Sequence, residues 1–179
     1  MHERQAIREA VATLLTGTAP DYATSAEARV FKTRIAPLPK HQLPAVNVYI
    51  YTETITPEDG TQVERNASLV IEGYVRVSES VDDEIDDLSL EIETAMDGDP
   101  TLAGKVSACR MSSSEIQFTT LGDRPVGVIQ IEYDIAYVTT SRVADPTDIF
   151  DTADVKFDLD GNQLAADQTE DLIEDINQE

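Results

Sequence analysis

Two histidines, one cysteine and 35 carboxylates are the side chains from which reactive chemistry would most readily be built here, and their placement argues against a catalytic centre. His2 opens the chain and His41 sits among Pro37, Pro39 and Pro44, so neither falls easily into a Ser-His-Asp, Cys-His or zinc-binding arrangement. Cys109 has no histidine near it in sequence and reads as a small buried hydrophobe, not a nucleophile. A single cysteine also leaves no intrachain disulfide, which fits a reducing compartment. The glycines are scattered singly, so no phosphate-cradling loop is expected.

The carboxylates need closer reading. Asp82, Asp83, Glu84, Asp86, Asp87, Glu91 and Glu93 crowd one short stretch, but no histidine converges with them, and a solvated acidic face is the expectation. Asp158-Leu159-Asp160-Gly161-Asn162 is similar to the start of a calcium loop, yet its third ligand position and closing glutamate are misplaced, which leaves a plain turn. No two carboxylates are singled out as a hydrolytic pair. Asn66-Ala67-Ser68 fits a glycosylation acceptor by chance, because the polar start of the chain has no signal-peptide character. The expectation is a protein that binds other proteins, with no enzymatic activity, no cofactor and no metal.

The elements that carry these residues follow from periodicity. Ile7, Val11, Leu14 and Leu15 recur at helical spacing, and Gly17 followed by Pro20 should end that helix with a left-handed cap. Residues 28–35 alternate loosely as a strand, with residues 36–44 an extended, proline-broken loop. Residues 45–52 are rich in β-branched and aromatic side chains and should place Val46, Val48 and Ile50 on one face. After a turn at Pro57-Glu58-Asp59-Gly60, residues 67–77 form the second arm of a hairpin, with Leu69, Ile71, Val75 and Val77 inward and Glu72, Tyr74 and Arg76 outward. Val81, Ile85, Leu88, Ile92 and Met96 mark an amphipathic helix, for which Ser80 is the expected N-cap. Asp99-Pro100 starts a short helical turn. Residues 114–119 and 129–137 read as strands, the second with Ile129, Ile131, Tyr133, Ile135 and Tyr137 on a dry face. The fold class expected is α+β, a mostly antiparallel β-sheet flanked by two main helices.

Charge divides the chain. Of a formal net charge of -22, about half lies in residues 143–179, where 12 acidic residues face only Lys156. Two segments are expected: an α+β domain over 1–142 and an acidic C-terminal arm over 143–179, with Phe150, Phe157 and Leu159 as its apolar docking anchors. Such acidity repels duplex DNA. It is either a solubility device or a surface for a basic partner or an anion's passage. Against this background Arg29, Lys32, Arg34 and Lys40 cluster, either pairing with carboxylates of an adjacent copy or forming a solvated strand edge. Nowhere do the roughly 18 consecutive apolar residues of a membrane span occur, so no membrane association is expected.

The order of these elements carries a resemblance. Pro44-Ala45-Val46-Asn47-Val48-Tyr49 follows an opening helix and loop, Leu69-Val70-Ile71-Glu72 precedes the acidic helix, and Tyr133-Asp134-Ile135-Ala136-Tyr137 closes the pattern. Over about residues 1–140 this resembles the tail terminator family of long-tailed bacteriophages, the minor tail protein U-like group. The resemblance implies a homo-hexameric ring in the virion's tail-neck region, assembled in the host cytoplasm. Such a ring caps the tail tube, stops addition of tube protein and offers a docking surface to the head–tail connector or stopper. Its partners would be further copies, the major tail tube protein and the connector, with DNA only as cargo passing an acidic channel. The acidic arm departs from the family pattern. Another neck or tail-completion ring protein, or a small acidic ligand-binding domain or enzyme, is the alternative.

Overall fold

A computed structural model describes residues 2–34, 38–57, 62–121 and 124–140. Helix α1 spans Glu3–Thr16 and buries Ile7, Val11 and Leu15 fully, the stripe its spacing predicts, with Leu14 packed at the edge of the core. His2 caps it, its Nδ1 accepting from the Arg4 amide at 3.2 Å. Gly17 ends it with a positive φ of 69°, but ψ of -150° places it outside the left-handed helical basin expected for the cap. A Cβ there would approach the Ala23 nitrogen to 2.6 Å, so the tight exit needs glycine. Strands β1 (Gly17–Thr18) and β2 (Asp21–Tyr22) pair across the exit.

Five strands form the main sheet: β3 (Val30–Lys32), β4 (Ala45–Pro57), β5 (Gln62–Arg76), β6 (Ala108–Leu121) and β7 (Arg124–Thr140), in the order β3-β4-β5-β7-β6. Among the described strand pairs only β3–β4 is parallel. Between β3 and β4 the described residues include the 3₁₀ turn Lys40–Gln42. The β4–β5 hairpin and the β7 dry face form as their alternation requires, with Val46, Val48, Leu69, Ile71, Val75, Ile129, Ile131, Tyr133, Ile135 and Tyr137 all buried. Strands β4, β5, β6 and β7 are each longer than their apolar signal, because cross-strand pairing carries polar residues such as Glu64 and Asn66 into the ladder. The strand expected over 28–35 shortens to three residues, since it pairs only with Val46, Asn47 and Val48. Val77 falls beyond the end of β5 and is exposed instead of lying on the inner face.

Helix α2 (Val81–Gly98) follows β5 and buries Ile85, Leu88, Ile92 and Met96. Ser80 sits at its N-cap position, but its hydroxyl does not bond a helix amide; it donates with Ser78 to the Glu84 carboxylate. Both helices share one core with the same face of the sheet, α1 over β3 and β4 and α2 over β5 and β7. No helix covers the opposite face among the described residues. Gly73 and Gly127 bring α2 close: a Cβ at Gly73 would stand 2.8 Å from both Leu88 Cδ2 and Ile129 Cγ2. The turn at Asp99-Pro100 does form. Asp99 accepts from the Thr101 and Ala103 amides and the Thr101 hydroxyl, and those bonds hold its carboxyl below the usual range.

Candidate functional site

The sheet ends without a partner on both sides among the described residues. Strand β6 pairs only with β7, leaving fourteen residues with one open edge. Beyond Val48, where β3 stops, the outer side of β4 from Tyr49 to Pro57 is likewise unpaired. Apolar side chains gather at both places. On β6, Met111, Ile116 and Phe118 share a face with Tyr133, Ile129 and Gly127, yet lie past the reach of α2, and Phe118 is 60% exposed. On β4, Ile55 is exposed and Tyr51, at a register irregularity, is 76% exposed. Residues 114–119 thus do form a strand, but Ile116 and Phe118 lie at the surface. Alternation fixes which side of a strand a residue takes; it does not say how far a helix extends over it.

The basic residues singled out in the sequence lie on and around the short edge strand. Arg29 is bound within the chain: Nε donates to the Pro44 carbonyl at 2.8 Å, Nη2 to the Ser25 carbonyl at 3.0 Å, and Nη1 meets Glu27 Oε2 at 3.1 Å. It holds the loop after α1 against the start of β4. Lys32 forms an ion pair with Glu9 of α1. Arg34 stacks over the Phe31 ring at 4.5 Å from its centroid, and its backbone exchanges bonds with the Asn47 side chain. Lys40 opens the 3₁₀ turn. Phe150, Phe157 and Leu159, and the turn at Asp158–Asn162, lie outside the described residues.

Opposite charge occupies the other side of the helical layer. Asp82, Asp83, Glu84, Asp86 and Asp87 are all exposed on α2, which covers the β5–β7 half, whereas Arg4 and Arg8 of α1 join Arg29, Lys32 and Arg34 on the β3–β4 half. Among the described residues no three of His, Cys, Asp or Glu group as a metal site would require. No described helix is long and apolar enough to cross a membrane.

Polar groups on the sheet are tied into small networks that periodicity does not reveal. On the helix-free face, Glu72 accepts from the Tyr49 hydroxyl at 2.8 Å and from the Tyr74 hydroxyl. Burial and then this bonding raise both tyrosine pKa values. At the other end Glu53 accepts from Tyr137 and faces Arg65. Cys109, at the start of β6, packs against the core but is only part-buried; burial followed by the charge of Asp97 raises its thiol to about 11. Such a thiol is protonated at neutral pH and poorly nucleophilic.

Comparison with known proteins bears on residues of this body. A family model described as phage minor tail protein U matches residues 2–137, more than half of the chain. No curated protein sequence matches. Among solved structures, a chain in the virion of a native gene transfer agent particle is similar with a TM-score of 0.44 and 11% identity, over 75% of this chain and 96% of that one.

Proposed function

Because this chain belongs to the phage minor tail protein U family, a family of tail structural proteins, we propose that it is the tail terminator. Copies close into a ring, six on the resemblance read from the sequence, and the ring caps the finished tube in the tail-neck region. One ring face is complementary to the last ring of tube protein, and the other lacks the surface that recruits another. That second face receives the head–tail connector or stopper. DNA passes through the centre, kept from adhering by like charge.

The observation that carries this reading is the apolar row Met111, Ile116 and Phe118, exposed on a strand whose outer edge has no partner among the described residues. A monomer gains nothing from leaving such a row in water, and burial of it against a partner is worth about 25 cal/mol per Å². Arg29, Lys32, Arg34 and Lys40 are the candidates for the inter-subunit contact on the opposite side, with Phe150, Phe157 and Leu159 as anchors for the acidic arm. Another neck or tail-completion ring protein is the second reading, favoured to the extent that the same surface suits any ring.

The test is co-sedimentation of the purified chain with tail tubes, together with stained tails from infections lacking its gene. Termination predicts binding at tube ends and headless tubes of uncontrolled length in the absence of the gene. Tails of normal length, or binding only to connectors, would remove it in favour of the second reading.

A further inference from the structure

We infer that the open edge of β6 in one copy pairs with the open edge of β4 in the next, in antiparallel register, so that the sheets of all copies join into one closed sheet. This rests on the ring reading above and names the surface that makes the ring. Four observations carry it.

The two edges are on opposite sides of one sheet, since the long strands run in the order β4-β5-β7-β6. A closed ring needs two such different patches, one meeting the other on the next copy. Strand sense is compatible without adjustment. Strands β4 and β7 run one way and β5 and β6 the other, because each neighbouring pair among these four is antiparallel. In a cyclic ring every β4 keeps the same sense, so a neighbour's β6 arrives antiparallel to it and the alternation continues unbroken.

Both edges also lack the lysine and proline that most firmly block pairing. Each has one register irregularity, at Ile50/Thr52 and at Met111/Ser113, and β6 carries Arg110 and Glu115, but neither β6 nor residues 49–56 of β4 contains lysine or an internal proline, and each carries exposed apolar side chains, Met111, Ile116 and Phe118 on one and Tyr51 and Ile55 on the other. Charge supports the same partner. Joining these edges turns the α2 side of one copy, with Asp82, Asp83, Asp86 and Asp87, toward the α1 side of the next, where Arg4 and Arg8 lie beside the pairs Arg29–Glu27 and Lys32–Glu9. Closure removes both edges, as closure of any sheet does.

The experiment is hydrogen exchange by mass spectrometry on the full chain, assembled and dissociated, with sedimentation of T54P and of I116K/F118K. Assembly should slow amide exchange at least tenfold in residues 49–57 and 108–121 and leave the outer surface of α2 less affected. Both variants should remain folded by circular dichroism and sediment as monomers. Rings whose two edges exchange as fast as in the monomer overturn the edge pairing and leave the ring reading intact. Folded variants that still form full rings overturn it in the same way. Wild-type chain that stays monomeric even with tubes present overturns both. Should a variant fail to fold, the wild-type exchange pattern decides alone.

Discussion

Glu53 of β4 and Arg65 of β5 face one another across the hairpin, with Oε2 2.9 Å from Nη1, and the same carboxylate accepts from Tyr137 of β7 and lies 4.0 Å from Arg4 of α1. Four elements therefore meet at one carboxyl group whose side chain is only 9% exposed. Arg65 is held in turn by Thr139, which accepts from its Nε at 2.8 Å.

Removing that carboxylate leaves a half-buried guanidinium and a buried phenol without their acceptor. Glu53→Ala should destabilise the chain by about 2–3 kcal/mol, below the fully buried range because Arg65 stays in partial contact with water. Urea unfolding followed by circular dichroism measures it. A loss under about 0.5 kcal/mol would mean the cluster contributes nothing net.

At Gly73 the helix and sheet approach too closely for a side chain. Gly73→Val must displace Leu88 or the stiff, β-branched Ile129, and the expected cost is about 1–3 kcal/mol from overpacking. The midpoint of urea denaturation should fall. An unchanged midpoint would show that α2 can lift from β5 freely.

Tyr49, Tyr74, Tyr133 and Tyr137 all hold their protons more tightly in the fold than the ordinary value of 10.0, first because they are buried. Glu72 adds to this for the first two, Glu93 for Tyr133 and Glu53 for Tyr137. A folded pKa above the unfolded one gives stability that is complete below pH 10.0 and is lost as pH rises toward the folded value. Thermal stability should therefore fall steeply above about pH 10. Equal stability at pH 9 and pH 11 would contradict these environments.

Cys109 should react slowly with iodoacetamide at pH 8 and faster as pH approaches its thiol value of about 11, against an ordinary 9.0. Reaction as fast as that of a free thiol at pH 8, in protein shown to be folded, would place the group in water instead of against the core.

How much of this was legible beforehand depends on the range of the force involved. The stripe Ile7, Val11 and Leu15, the stripe Ile85, Leu88, Ile92 and Met96, and the alternation from Ile129 to Tyr137 were all readable, because helical and strand periods are local properties of the backbone. The family was readable too, from the order of three ordinary strand motifs, and the match to residues 2–137 agrees with it.

What lay beyond the sequence depends on neighbours brought together by folding. Arg29 looked like a free surface cation, yet Pro44, Ser25 and Glu27 surround it, and only the packing of the loop after α1 against the start of β4 sets that. Ile116 and Phe118 have the pattern of core residues and are exposed, because α2 is centred over β5 and β7 and stops short of β6. Composition and period thus fix which face each element turns inward, a local matter of 3.6 or 2 residues per repeat. Which edges remain open, and so where a partner can attach, is decided by strand order and helix placement, and these exist only once distant segments have paired.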